Sequence, residues 1–431
     1  MTQKALSLLF TTWEGGGSVT PALEAARRMI ARGHDVRVMS DEANRPETEA
    51  AGARFVPWTR APNRPDRSRE TEILQDWKAP PGPDGMIAAI ETIFCGPALA
   101  YAEDVAVELR REPADLAVCN DLLFGTMVGC EALGQPFVVL APNVSLAPLP
   151  GAPPMGPGFT PARDEAERAM HAEAAQRVVG MFDVGLASLN AARAAFGLAP
   201  LAHVFDQYEA AGATLLATAR AFDFPVDVMP PKVRYVGPLI GHVGWARPWA
   251  SPFPADDVRP LVAVSFSTTF QNHGAVLQRV IDALGTLPVR AAVTLGGIIR
   301  PEELNAPANV ALLHSAPHDA LMRAAAAVVC HGGHGTVIRA LAHGRPQLVI
   351  PHGRDQNDNA ARIAWRGAGL TLDPTADTAA IRAALVRLLE EPALAETART
   401  LGAAVAAEAA APTLVEALEA AAQPARMLEK C

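Results

Sequence analysis

Four histidines, a cluster of glycines and a run of amides lie between two apolar segments in "CHGGHGTVIRALAHGRPQLVIPHGRDQNDNA", from Cys330 to Ala360. Three chemistries fit such a stretch: a metal site, a phosphate cradle, or a polar turn needed only for tight packing. "AAAVVC" has the continuity of a buried strand and "GTVIRALAHG" the spacing of a helix, which makes "HGGHG" a strand-to-helix turn. Glycines there let the backbone approach a ligand, and the helix N-terminus offers free N–H groups and the positive end of a dipole. His331 adds a donor at the strand edge and Thr336 a hydroxyl, so the physics is that of a pyrophosphate cradle. As zinc ligands, His331 and His334 would come from one tight turn. Only Cys330, in a buried strand, and His343, at a helix end, stand near enough in sequence to join them. The next apolar run, "RPQLVIP", ends in "HGRDQNDNA", which puts Asp355 and Gln356 at the neighbouring strand end. A carboxylate and an amide suit pairs of sugar hydroxyls. Phosphate at one loop and hydroxyls at the next describe a nucleotide sugar.

Two similar rhythms must position these residues. In the first half, "ALSLLFTT" reads as a buried strand, "PALEAARRMIARG" as an amphipathic helix and "HDVRVMS" as a second strand, followed by "GARFVPW", "DLAVC" and "PFVVLAP". The second half repeats the pattern in "PLVAVSFS", "VRAAVTLGG", "NVALLHS", "AAAVVC", "RPQLVIP" and "AGLTL". Strands that alternate with helices and lack hairpin turns imply parallel βαβ units with both sheet faces covered. The expected fold is α/β, with two facing doubly wound, Rossmann-like domains and a cleft between them. The Pro- and Gly-rich segment 232–258 reads as a linker between an N-terminal domain over 1–231 and a C-terminal domain over 259–410. Residues 411–431 form a helix and tail that could pack back on the first domain. Two long irregular segments, "PWTRAPNRPDRSRETEILQDWKAPPGPDG" and "PNVSLAPLPGAPPMGPGFTP", follow strand ends of the first half and are expected to wall a substrate cleft.

The composition narrows the partners. Of 431 residues, 50% are hydrophobic and 19% charged, the balance of a globular chain. Lys and Arg number 37 against 46 Asp and Glu, a net charge of −9 without a basic run, which argues against nucleic acid and anionic membrane surfaces. The five cysteines, Cys95, Cys119, Cys130, Cys330 and Cys431, never fall as C-x-x-C and read as reduced thiols. No uninterrupted apolar run approaches the roughly 18 residues of a membrane span, and the opening "MTQKALSLLFTTW" is not a signal peptide, so a cytoplasmic protein is expected, with a homodimer conceivable.

From about Val310 to Leu370 the chain resembles the donor-binding region of nucleotide-sugar-dependent glycosyltransferases of the GT-B fold. More narrowly, it is similar to bacterial relatives of the UDP-glucuronosyltransferases, many of which glycosylate macrolides, polyketides and phenols. "HGGHGT" matches their H-x-G-x-G-T and "DQNDNA" their D-Q-x-x-N-A; "APHDAL" precedes both, and "SFSTTF" occupies the first strand end of the domain. The resemblance implies that the turn with His331, Gly333, His334, Gly335 and Thr336 holds the diphosphate, and that Asp355 and Gln356 hold the sugar. It puts the backbone around Ala316 at the base and Ser267 and Thr268 near the β-phosphate. It further implies a single inverting displacement by an acceptor hydroxyl, with no metal or other cofactor, since a histidine and helix-terminal N–H groups can meet the leaving diphosphate.

Three positions depart from the family. Ser315 stands where many relatives stack an aromatic ring on the base. Arg339 stands where UDP-sugar enzymes commonly carry a glutamate that accepts from both ribose hydroxyls, which arginine cannot do. A deoxyribose donor lacks the 2′-hydroxyl, so dTDP-sugars are favoured over UDP-sugars; the alternative is that Arg339 simply faces solvent. In "EGGGSVTP", Ser18 replaces the histidine that deprotonates the acceptor. A lone serine is no base at neutral pH. Asp121, matching the carboxylate that orients that histidine, could act as base itself, through a water or with Ser18; equally it could cap the helix that follows. An acidic acceptor would need little base. His34, His273 and His343 read as structural, while His171 and His203, in a helical segment near the cleft, stay open. Trp58, Trp77, Met86, Phe94, Met155 and Phe159 could line an apolar acceptor pocket or belong to the core. Competing functions are a nucleotide-sugar epimerase of the same fold, a non-catalytic nucleotide-sugar binder, and a dehydrogenase using Gly15-Gly16-Gly17 for a dinucleotide, although "GGGSVT" lacks the last glycine of that fingerprint.

Overall fold

The computed structural model describes the chain except residues 1–3, 16, 69, 76–77, 79–82, 242–249, 267–272, 297–298 and 424–431. The first sheet comprises β1 (Ser7–Thr11), β2 (Asp35–Ser40), β3 (Arg54–Pro57), β4 (Leu116–Asn120), β5 (Phe137–Ala141), β6 (Thr214–Leu216) and β7 (Val233–Tyr235), in the order β3-β2-β1-β4-β5-β6-β7. The second comprises β8 (Leu261–Ser265), β9 (Arg290–Thr294), β10 (Val310–Leu313), β11 (Ala327–Cys330), β12 (Gln347–Val349) and β13 (Gly369–Thr371), in the order β10-β9-β8-β11-β12-β13. The paired strands of both sheets run parallel, Leu8 facing Leu116 across β1 and β4 and Val264 facing Val329 across β8 and β11. β4, β5 and β8 are buried along their whole length, because helices cover both faces and every side chain must be tolerated by a core.

In each sheet the strand order reverses once, between β1 and β4 and between β8 and β11. A crevice opens at such a switch point beyond the strands' C-terminal ends, because the following chains leave to opposite faces. Those two switch points carry the residues of interest.

Part of the expected linker is not linker. Val233–Tyr235 pairs with Thr214–Leu216 as the edge strand of the first sheet. Three residues of alternating burial at an edge are too short to register as periodicity. Residues 242–249 of that segment lie outside those described. The helix Thr413–Ala421 lies on the first domain, with Leu414, Val415 and Leu418 in one apolar cluster with Val19, Leu23 and Ala26 of the helix Val19–Ala31. His34 reinforces the contact: its Nδ1 accepts from the Leu6 N–H at 3.2 Å and its Nε2 lies 3.1 Å from Glu419 Oε1.

Two helical stretches, Asp84–Arg111 and Pro392–Ala421, are long and apolar enough by composition to span a membrane, although charged residues interrupt both. The first contains a π turn over Ile90–Phe94 and places Ile90, Ile93, Tyr101 and Val105 in the core of the first domain. Leu394, Ala398 and Val405 of the second are likewise buried in the apolar clusters of the second domain.

Candidate active site

Cys330 ends β11 opposite Ser265 at the end of β8, so the turn after Cys330 emerges at the second switch point. Two glycines have steric work in it. Gly332 has φ +97°, and a Cβ there would stand 2.9 Å from the Gln356 carbonyl oxygen. A Cβ at Gly333 would stand 2.7 Å from His331 Nε2, so the imidazole lies directly over that backbone. The turn then enters the helix His334–Ala342. His331 is buried, and burial, helped by the nearby His273, His352 and Arg354, pushes its imidazole down to about 3. A neutral ring with an unpartnered Nδ1 is therefore held against the glycine turn. Gly335 and Thr336 follow in the first turn of the helix, where the Thr336 N–H already donates to the Gly333 carbonyl at 3.0 Å.

His334 takes a different course. Its Nε2 lies 2.8 Å from Thr218 Oγ1 of the first domain, and its ring meets Phe222 edge-on at 6.1 Å. Its imidazole thus ties the two domains, and burial pushes it down to about 3. Only its N–H faces the neighbouring loop, 3.4 Å from Asp355 Oδ2.

Asp355 stands where β12 and its loop lead into the helix Gln356–Trp365. Its Oδ2 accepts from Asn143 Nδ2 at 2.6 Å and from Asn359 Nδ2 at 2.8 Å, and burial raises its pKa. Gln356 turns inward, its Oε1 accepting from the His352 N–H at 2.7 Å, so this amide braces the loop that carries Asp355. Ala316 is half-buried between β10 and the short helix His318–Ala324. Arg339 does not face solvent. Its Nη1 donates to Asp319 Oδ1 at 2.8 Å and its Nη2 to the Gly241 carbonyl at 2.9 Å, joining the Ala316 side of the site to the interdomain segment. Ser267 and Thr268 lie outside the described residues.

The first domain brings Ser18 and Asp121 to the other switch point. Ser18 precedes the helix Val19–Ala31 and is buried beside Thr11 and Asn120 around a hollow of about 10 Å³, roughly the room of one water molecule. Asp121 follows β4 and is 5% exposed. Burial pushes its carboxyl up to about 7, and its Oδ1 has no hydrogen-bond partner. It is not a helix cap. The helix Phe124–Ala132 begins after Leu123 without a side-chain cap, and Asn120 Oδ1, not Asp121, accepts from the Leu122 N–H at 3.1 Å. Among the described residues no hydrogen bond links Ser18 to Asp121. Burial outweighs the backbone N–H groups of Asp121 and Leu122 that act on this carboxyl, which leaves a strand-end acid able to exchange a proton near neutrality.

Two of the expected acceptor aromatics are core instead. Trp58 is 2% exposed, donates Nε1–H to the Thr12 carbonyl at 3.2 Å and meets Tyr101 edge-on. Phe94 is buried edge-on to Trp13 at 5.6 Å. A loop residue and a core residue of the same type look alike in sequence, and burial alone separates them. Met86 and Met155 remain half-buried, while Trp77 lies outside the described residues. Phe159 stacks on His171 at 5.0 Å, and His203 pairs with Asp183 at 2.7 Å on the surface.

Some site residues carried no sequence signal of their own. Asn143, just past β5, reaches Asp355. Asp358, inside "DQNDNA", accepts from the N–H groups of Gly156 at 2.7 Å and Gly158 at 3.0 Å, docking the Pro-rich loop of the first domain on the second. Arg362 to Asp223 at 2.8 Å adds an ion pair across the same boundary. Trp13 carries a buried, unpartnered Nε1 beside the Ser18 turn. Among the described residues no group of three or more His, Cys, Asp or Glu is arranged to hold a metal ion, so the histidine-rich turn is not a ligand cluster. A hollow of about 460 Å³ is lined by Gln135, Phe137, Ala213 and Ala417, and none of the site residues borders it.

Two facing parallel α/β domains, with a glycine turn at one switch point and a buried carboxylate at the other, define a GT-B glycosyltransferase. The glycotransferase of kitacinnamycin has this fold, with a TM-score of 0.75 at 20% identity over 97% of this chain and 98% of that one. A glycosyltransferase crystallised in complex with dTDP aligns with a TM-score of 0.67 at 20% identity, covering 97% and 99% of the two chains. Residues 278–421 match the erythromycin biosynthesis protein CIII-like C-terminal domain. The 4'-demethylrebeccamycin synthase of Lentzea aerocolonigenes is 32% identical over 405 residues, 89% of this chain and 92% of that protein. The chain belongs to the bacterial natural-product glycosyltransferases of the GT-B fold, and it is a sugar-transferring enzyme.

Proposed function

We propose that the enzyme transfers a sugar from a nucleoside-diphosphate donor, dTDP in preference to UDP, to a lipophilic small molecule, with inversion and without a metal. The observation that carries the reading is the placement of neutral, buried His331 over the Gly332-Gly333 turn at the switch point of the second sheet. In this scheme the turn and the N-terminus of His334–Ala342 receive the diphosphate, with Ser267 and Thr268 beside it, and Asp355 receives sugar hydroxyls once Asn143 yields them. The acceptor's O–H or N–H gives its proton to Asp121 while its lone pair attacks the anomeric carbon from the face opposite the diphosphate. The bond from that carbon to the diphosphate oxygen breaks, and the charge passes to donors already oriented toward it. Ser18, across the small hollow from Asn120, would hold a water or the acceptor in register.

The dTDP preference is supported by Arg339, a guanidinium fixed on Asp319 and Gly241 that cannot itself accept from a 2′-hydroxyl. Half-buried Met86 and Met155 suit an apolar acceptor. A thermal-shift titration with dTDP, UDP and NAD on the wild type and His331→Ala tests the donor. A ligand at about 100 times its Kd adds roughly 2.7 kcal/mol. Stabilisation by dTDP over UDP, lost in the variant, is expected; stabilisation by NAD alone refutes the scheme. Transfer undiminished by a chelator, and a product of opposite anomeric configuration by NMR coupling, would complete it.

A further inference from the structure

Three imidazoles surround one phenyl ring at the donor-domain switch point. Phe266, just past β8, has ring centroids 5.8 Å from His273, 6.3 Å from His331 and 5.7 Å from His352, and His273 lies 6.2 Å from His352. They come from three separate elements: His273 caps the helix Gly274–Gly285 after β8, His331 follows β11 and His352 follows β12. Among the described residues each ring has a buried nitrogen without a hydrogen-bond partner, Nδ1 of His273 and His331 and Nε2 of His352. His273 is 2% exposed and His331 9%. Buried polar atoms are ordinarily satisfied, and three orphans in one cluster are a departure that calls for a ligand. The metal explanation fails, since these residues do not form a ligand cluster.

We propose that His273 and His352 join His331 as a three-imidazole receptor for the donor's diphosphate, supplying the donors that its oxygens lack at the glycine turn. This rests on the proposed donor reading and adds two residues to it. The proton count follows from one hydrogen bond. His352 Nδ1 lies 2.9 Å from the Ile350 carbonyl, so that nitrogen carries the proton and Nε2 of the neutral ring is a bare acceptor. It can face an anionic oxygen only after taking a proton from solvent. Burial lowers all three rings, His273 and His331 to about 4 and 3, so they start neutral at pH 7.5. Neighbouring charges reinforce this: Arg354 lies near His331 and Arg279 near His352, while Glu72 of the first domain faces Arg354. His318, 3.5 Å from Ser265 Oγ, is likewise held neutral by burial. A bound diphosphate reverses that balance, and binding takes up a proton.

The test is calorimetry of dTDP-glucose binding to the full chain at pH 7.5 in three buffers of different ionisation enthalpy. The diphosphate diester itself does not titrate near that pH, so any uptake is the protein's. The expected heat varies with buffer, reporting a large fraction of a proton per ligand. His352→Gln, whose amide donates without protonation, is expected to bind with the buffer dependence lost. His273→Ala is expected to bind roughly ten- to a hundredfold more weakly, the loss of a charge-assisted hydrogen bond. Histidine-selective 15N spectra of the wild type, which need no variant to fold, should show imidazolium nitrogens appear on addition of dTDP-glucose. Tight binding with buffer-independent heat and unchanged ring nitrogens overturns the inference and leaves the donor reading intact. Failure of both dTDP-glucose and UDP-glucose to bind overturns the donor reading and the inference with it.

Discussion

The two switch points solve opposite problems with opposite materials. At the donor end, between β8 and β11, the working parts are glycine backbone, a helix start and imidazoles that burial keeps neutral. Between β1 and β4, the proposed acceptor end holds the buried acid Asp121, pushed up to about 7, and Ser18 on a hollow of about 10 Å³ that Asn120 also lines. In the proposed scheme the donor end meets the diphosphate with backbone dipoles set by geometry and with imidazoles that charge only when it binds. The acceptor end depends on protonation, since a carboxyl is a base only when ionised. Substitutions in the two regions should therefore separate: catalytic rate and its pH profile at one end, donor affinity at the other.

The largest effect is expected at Asp121. Removing a general base lowers kcat on the order of 10²–10⁴-fold, so Asp121→Asn should lose that much rate with donor KM nearly unchanged. Wild-type kcat/KM should rise with pH through about 7 and flatten above it, a dependence the variant lacks. Stability moves the opposite way. The folded pKa lies above the ordinary 3.8, so the protonated carboxyl is the one the fold favours. That contribution is fully present below about pH 4 and lost as pH rises through 7. Asp121→Asn keeps a neutral group there at every pH, so its melting temperature should gain on the wild type between pH 5 and 8. A variant that keeps its rate places the base elsewhere and erases the contrast between the two ends.

At the donor end, Gly333→Ala tests geometry alone. The added methyl would meet His331 Nε2 at 2.7 Å and push the buried ring off the turn. Donor KM should rise roughly tenfold or more while the pH profile through 7 stays as in the wild type. A kcat loss at unchanged KM would mean that this turn positions the acceptor side as well.

How legible each end was follows from the same difference. A cradle made of backbone must be written in glycines and a helix start, local features that survive as "HGGHGT". The strand order that places it at a switch point was implied by the βαβ rhythm. Contacts between distant segments were not legible. Thr218 claims His334, Asn143 claims Asp355 and Gly241 claims Arg339, each across about a hundred residues or more, and no local pattern encodes such pairings. Trp58 misleads for a related reason: its indole N–H is satisfied by Thr12 from another strand end, which makes it core. Asp121 was visible as a strand-end acid, but its unpartnered burial, the property that sets its pKa, is tertiary.

Asp358 connects the two ends and should give a smaller effect. Its carboxylate holds the Gly156 and Gly158 N–H groups, and burial pushes it up to about 6. Asp358→Asn keeps one acceptor oxygen, so acceptor KM should rise by a few-fold and cleavage by a nonspecific protease within residues 151–158 should quicken. Donor affinity unchanged in the same variant would show that the loop serves the acceptor side alone.

The smallest effect is expected at Arg339, and it sharpens the comparison most finely, because it asks whether the donor end reads the ribose or only the phosphates. Both Arg339 donors are fixed, on the Asp319 carboxylate and the Gly241 carbonyl, with the side chain only 9% exposed. The guanidinium itself has no lone pair with which to accept from a 2′-hydroxyl. Arg339→Gln offers an acceptor oxygen in the same helix and removes the cation from Asp319, which stays 3.2 Å from His343 Nε2. The balance should be a modest loss of melting temperature and a shift of the dTDP-to-UDP affinity ratio toward UDP of less than about tenfold, under roughly 1.4 kcal/mol. A ratio that does not move would leave the deoxyribose preference to other residues, such as those around Ser315 and Ala316, and would make Arg339 a strut between the domains.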